Sequence, residues 1–206
     1  NPRPGWSHRY VRISFLGQAD PSNISEIIRI AYDIKPNAIL DIGIGTGKYG
    51  LLFRDYLDGH WAGNAFHDKS TWKLNLVGIE VFPQYITPVH EYIYTAIWIG
   101  EAFEILTRVT NQSCFDLVFL GDVLEHFEKE QGKQLIRAIR DNWLKPGGHI
   151  LISTPNFRTQ INSPDQAIFG NAHEIHRCRW YPEEFKEFNM RLTVTPGKLL
   201  TVLLSL

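Results

Sequence analysis

An apolar run that ends on an acid and breaks into alternating glycines constrains this chain most: Ile39-Leu40-Asp41-Ile42-Gly43-Ile44-Gly45-Thr46-Gly47-Lys48-Tyr49-Gly50. It reads as a strand, a tight turn and a helix start. Glycines at 43, 45 and 47 carry no Cβ, so the turn can take positive φ and a ligand can lie against the main chain. Tyr49, Leu52, Phe53, Tyr56 and Leu57 then recur at three- and four-residue spacing. That spacing predicts an amphipathic helix over 46–57 whose first amides face the turn, a geometry suited to an anion or a polar cofactor head.

Several cofactor classes use such a turn. A Walker A loop needs Gly, four residues, then Gly-Lys-Ser/Thr, but Tyr49 follows Gly47-Lys48 and position 42 is Ile. The dinucleotide fingerprint Gly-x-Gly-x-x-Gly is met by Gly45, Gly47 and Gly50, which keeps an NAD(P)-dependent oxidoreductase as an alternative. Asp41 shifts the balance. A carboxylate at the strand end repels phosphate and attracts a cationic ligand.

From Asp41 to Gly47 the chain resembles the class I S-adenosylmethionine-dependent methyltransferases, and further motifs follow in that family's order. Leu74 to Glu80 is a second apolar run ending on an acid, where the resemblance implies that Glu80 holds both ribose hydroxyls. Ile99-Gly100-Glu101-Ala102 is similar to the third turn, which places Glu101 against the adenine amino group. Cys114 to His126, closing on Asp122-Val123-Leu124-Glu125-His126, looks like the fourth-strand motif; Asp122 and Leu124 would border the methionine end of the cofactor, with Val123 beside them. Leu144 to Asn156 looks like the fifth strand and its preceding turn. The resemblance spans about residues 37 to 190. It implies S-adenosylmethionine as cofactor, held by Asp41, Gly43, Gly45, Gly47, Glu80, Glu101, Asp122 and Val123. One departure stands out. Asp41 and Glu80 lie 39 positions apart, about twice the dinucleotide spacing, and Gly59 to Lys73 reads as an inserted loop with Trp61, Phe66 and Trp72.

Short apolar runs (37–42, 74–80, 92–98, 115–120, 147–153) alternate with helical patterns (46–57, 83–90, 101–109, 128–143), which signals a parallel sheet covered on both faces. The expected fold is α/β: a doubly wound, Rossmann-like, mostly parallel seven-stranded sheet with an antiparallel last strand. Asp41, Glu80 and Asp122 then fall at the carboxyl ends of strands, on one rim. The 206 residues are expected to form a single domain. Residues 1–35 make an N-terminal arm and helix starting at Ser22-Asn23, and 37–154 the cofactor-binding core. Residues 156–206 supply a lid loop, a last helix beginning at Trp180 to Phe185, and closing strands divided by Pro196-Gly197.

The chain is 44% hydrophobic and 21% charged with a formal net charge of −1, and no dense Lys/Arg run appears. A broad phosphate-binding face, and with it a nucleic-acid partner, is disfavoured. Cys114 and Cys178 are isolated, so neither a disulfide framework nor a zinc ribbon is indicated and a cytoplasmic setting fits. No apolar stretch approaches the ~20 residues of a membrane span, and the start is no signal peptide. The absent initiating Met reads as a trimmed chain. The sequence gives no oligomeric state.

Methyl transfer from a sulfonium mainly requires alignment and exclusion of water. A hydroxyl or amine acceptor also needs a base, and His126 stands where one could reach; bracing the following helix is its other reading. His173, His176 and Arg177 face acceptor or cofactor, or brace a loop. His-Glu-x-x-His would need His at 177, where the chain has Arg, so zinc hydrolysis is disfavoured. His60, His67 and Asp68 lack a third ligand at metal spacing, and no metal is assigned. Trp6, His8 and Tyr10 either pack on the domain or line the acceptor pocket. The expected function is methylation of a small-molecule acceptor at oxygen or nitrogen. A catalytically inactive cofactor-binding scaffold is the rival from another class.

Overall fold

The computed structural model describes residues 21–59, 68–108, 112–156, 161–167, 170–188, 190–194 and 199–205. Trp6, His8, Tyr10, His60, Trp61, Phe66 and His67 lie outside the described residues. Chain order is α1 (Ile24–Ile34), β1 (Ala38–Ile42), α2 (Lys48–Phe53), β2 (Asn75–Glu80), α3 (Pro88–Ile93), β3 (Ala96–Ile99), α4 (Ala102–Thr107), β4 (Phe115–Gly121), α5 (Lys129–Asn142), β5 (Leu144–Pro155), β6 (Met190–Val194) and β7 (Leu199–Ser205).

Every residue of β1 is buried, as expected of a parallel strand covered by helices on both faces. Its alternating side chains feed two cores. Leu40 and Ile42 join Val118, Leu120, Leu135, Ile139 and Trp180 on one side, while Ile39 joins Ile27, Ala31, Phe53, Leu117 and Phe119 on the other. The seven strands run β3-β2-β1-β4-β5-β7-β6, with β7 antiparallel to both neighbours. Successive crossovers leave β1 toward β2 on one side and β4 on the other, so a crevice opens where the order reverses.

The structure departs from the sequence expectations at four elements. The run 92–98 is half helix: Pro88 at the first helical position and the Thr87 N–H donating to His90 Nδ1 at 3.0 Å start α3 there, and β3 begins only at Ala96. The helix expected over 46–57 ends at Phe53 and widens into a π-turn over Arg54–Asp58, where Arg54 and Asp58 form a buried ion pair at 2.6 Å. The helix expected from Trp180 is a 3₁₀ segment, Pro182–Phe188. The fifth strand is longer than the run 147–153, because Leu144 pairs with Phe115 ahead of a register shift.

Candidate functional site

A cavity of about 740 Å³ opens at the carboxyl ends of β1, β2 and β4 and under Asp165, Gln166 and the 171–177 segment, within the size range of cofactor sites. Its floor is the glycine turn. Gly43, Gly45 and Gly47 take φ of +69, +53 and +80°, so the turn closes in a conformation that side chains resist. The Gly43 and Ile44 N–H groups donate to the Ile79 carbonyl at 2.9 and 3.2 Å, and the Gly45 N–H donates to Glu80 Oε2 at 2.9 Å. The His90 Nε2–H donates to the Gly45 carbonyl at 3.0 Å, clamping the turn from behind.

Of the twelve site residues expected from sequence, eleven line this cavity: Asp41, Gly43, Gly45, Glu80, Glu101, Asp122, Val123, His126, His173, His176 and Arg177. Gly47 sits behind the wall, where an added Cβ would meet His90 Nε2 at 3.1 Å.

The acids are held by identifiable partners. Asp41 Oδ2 accepts from the buried Tyr94 hydroxyl at 2.6 Å. Burial pushes the Asp41 carboxyl up to about 7, against the pull of that hydrogen bond. Burial also raises Glu80, while the N–H groups of Phe82 and Gly45 favour its ionised form. Asp122 adopts φ of +54° just past β4, and its Oδ1 accepts from Ser153 Oγ at 2.9 Å. Ser153 Oγ in turn accepts from Asn23 Nδ2 at 2.9 Å, and Asn23 Oδ1 accepts from the Tyr49 hydroxyl at 3.3 Å. The rim acid is thus tied to α1 and α2. That strained φ is stabilised by surrounding structure, as strain at functional positions generally is.

The Asp-Val-Leu-Glu-His stretch also positions the acceptor side through its backbone. The Glu125 carbonyl accepts from the N–H groups of Arg177 and Cys178 at 2.7 and 3.2 Å, and Trp180 Nε1–H donates to the Leu124 carbonyl at 3.0 Å. These bonds bring His173, His176 and Arg177 to the cavity from fifty residues downstream. His126 Nδ1 faces the Ile175 carbonyl at 3.3 Å, and burial followed by the neighbouring His176 lowers its pKa to about 4. The ring is therefore neutral at pH 7. It can accept a proton but is a weak base.

Sequence reasoning passed over Tyr94, His90, Tyr85 and Glu174. Tyr85 donates its hydroxyl to Glu174 Oε1 at 2.9 Å across the cavity. Thr87-Pro88-x-x with His90 at the third helical position carried a detectable helix-start signal; Tyr94 carried none, because its partner lies 53 residues away. Asp68 caps a 3₁₀ turn, accepting from Ser70 N at 3.0 Å.

The raised Asp41 carboxyl yields a pH prediction. Between its ordinary value of 3.8 and about 7 the folded chain holds a proton that the unfolded chain has lost. Stability therefore falls as pH rises through that window, by on the order of 4 kcal/mol from this group. Asp41→Asn is expected to make the slope visibly shallower, read as urea midpoints from about pH 5 to about pH 8.

A family model described as "Methyltransferase domain" matches residues 15–190. The chain belongs to this family: it is a methyltransferase domain. It is 24% identical over 161 residues to phosphoethanolamine N-methyltransferase 3 of Arabidopsis thaliana, a match covering 75% of this chain and 29% of that protein. The chain thus spans under a third of that relative's length. A SAM-dependent methyltransferase from Archaeoglobus fulgidus superposes with a TM-score of 0.60 at 14% identity, covering 88% of this chain and 92% of that one. The 1,6-didemethyltoxoflavin-N1-methyltransferase of Burkholderia thailandensis, solved with its substrate and S-adenosylhomocysteine, gives 0.56 at 15% identity over 86% and 77%. No helix among the described residues is long and apolar enough to cross a membrane.

Proposed function

We propose that this domain transfers a methyl group to an oxygen or nitrogen of a small-molecule acceptor bound beneath the 171–177 segment. The observation that carries the reading is the meeting, in one cavity of about 740 Å³, of the main chain of the glycine turn with Asp41, Glu80, Glu101 and Asp122. Space and charge fit the cofactor. An added Cβ at Gly43 would lie 2.6 Å from Val123 Cγ2, so only glycine leaves the cradle open. Four acids suit a ligand that carries a sulfonium, an ammonium and a ribose diol.

When bound, S-adenosylmethionine supplies an electrophilic methyl on a sulfonium. The chain's own residues do the rest. Glu80 keeps lone pairs beyond those given to Gly45 and Phe82 for the ribose hydroxyls, and Glu101 stands for the adenine amino group. Asp122 and Val123 border the methionine end. His173, His176 and Arg177 orient the acceptor, and the segment that carries them excludes water. The names of the Arabidopsis and Burkholderia proteins attach nitrogen acceptors to those enzymes, which supports a small acceptor here.

Titration calorimetry with S-adenosylmethionine, S-adenosylhomocysteine and NADH in parallel tests the reading. Binding of the first two alone is expected; NADH alone would make the chain an oxidoreductase. Asp41→Ala and Glu80→Ala are each expected to weaken cofactor binding tenfold or more, since a hydrogen bond to a charged group is worth about 1.5–3 kcal/mol. Unchanged affinity in both would sink the assignment. Turnover with an acceptor panel separates an enzyme from a scaffold.

A further inference from the structure

We propose that Glu125, His126 and His176 form a divalent-cation site on the cavity wall, which anchors a hydroxyl oxygen of the acceptor. The three side chains each bring one ligand atom, all within 4.8 Å of one another. Their rings and carboxylate come from two elements, the turn Leu124–His126 after β4 and the segment beyond Ile175, and the His126 and His176 rings lie 5.0 Å apart at 70°. The second observation is Glu125 itself. It is 2% exposed; its Oε2 accepts from Thr154 Oγ1 at 2.9 Å, but its buried Oε1 has no hydrogen-bond partner among the described residues. A buried carboxylate oxygen without a partner is costly, and a cation beside it would offset that cost.

Two imidazoles and one carboxylate are the donor set of catalytic zinc and other first-row divalent sites, which keep positions open for substrate. Bonds of about 2.1 Å in tetrahedral geometry put ligands roughly 3.4 Å apart, so a closure of at most about 1.4 Å completes the site. His176 lies in a stretch without helix or strand, whereas Glu125 and His126 are fixed behind β4. The backbone carbonyl that His126 Nδ1 faces supplies the outer hydrogen bond typical of a metal-bound imidazole. The open positions point the site to an acceptor with hydroxyl oxygens rather than a lone amine, because a bound cation lowers the pKa of a coordinated O–H. This acceptor role rests on the methyltransferase reading; the cation site does not.

Cobalt(II) added to the purified chain is expected to bind at one saturable site with visible absorption bands, displaced by zinc(II). Glu125→Gln, His176→Ala and the milder His176→Gln are each expected to weaken binding at least tenfold, with unchanged thermal melting as the control for folding. Catechol added to the cobalt form is expected to shift the bands. Absence of saturable binding, or affinity untouched by all three substitutions, overturns the site; cobalt bands indifferent to catechol overturn the acceptor role alone. Titrating S-adenosylmethionine into the same samples separates the two readings. Cofactor bound without cobalt defeats only the cation site, and cobalt bound without cofactor upholds the cation site while defeating its acceptor role.

Discussion

Arg54→Ala is expected to destabilise the chain by about 3–5 kcal/mol, the usual cost of stranding one member of a buried ion pair. Arg54 is 2% exposed. Its Nη1 donates to Asp58 Oδ2 at 2.6 Å and to the Leu74 carbonyl at 2.7 Å, and its Nε donates to the Ile93 carbonyl at 3.0 Å. Asp58 accepts in turn from the N–H groups of Lys73 and Leu74 at 2.6 and 3.1 Å. Truncation would leave a buried carboxylate and two carbonyls without their cation. The guanidinium also joins the end of α2 to the entry of β2 and the end of α3, the elements that present Glu80 and Tyr94. Cofactor affinity should therefore fall along with the urea midpoint. A loss under about 1 kcal/mol would mean that the pair is solvated and the tie is not formed.

Gly43→Ala is expected to weaken cofactor binding well beyond tenfold while costing about 1–3 kcal/mol of stability. Two effects act together: the residue sits at φ of +69°, and the new Cβ would press on Val123 Cγ2 from 2.6 Å. Either Val123 moves into the cavity or the turn retreats from it. Gly147→Ala separates the contributions, because that glycine has φ of +75° but nothing within 4 Å of an added Cβ. It should show the backbone cost alone and bind cofactor normally. If Gly43→Ala bound as well as Gly147→Ala, the turn would not be a wall of the cofactor site. Adding Val123→Ala to Gly43→Ala should restore part of the affinity by making room for the methyl group.

The two variants mark different depths of legibility. Gly43, Gly45 and Asp41 stand within five positions of one another, so their chemistry shows as a local pattern of conformational freedom and charge. Nothing local marks Arg54. Its spacing fits an exposed helix face, and only the path of Leu74 and Ile93 past it makes it a core cation. The run 92–98 failed as a strand for a related reason: its apolar alternation suits either element, and Pro88 with His90 decided for helix over its first half.

The same division runs through the candidate site. Order, burial and spacing of the apolar runs were enough for a parallel, doubly wound sheet and for three acids on one rim, because strand ends and glycine turns are properties of short segments. Where the acceptor side stands was decided by tertiary structure alone. The Glu125 carbonyl holds Arg177 and Cys178, Tyr94 reaches Asp41, and Glu125, His126 and His176 converge within 4.8 Å. Each of the first and last contacts spans some fifty residues of chain. Periodicity carries information over a turn or two of helix, whereas a hydrogen bond between distant segments exists only once the sheet has set their separation.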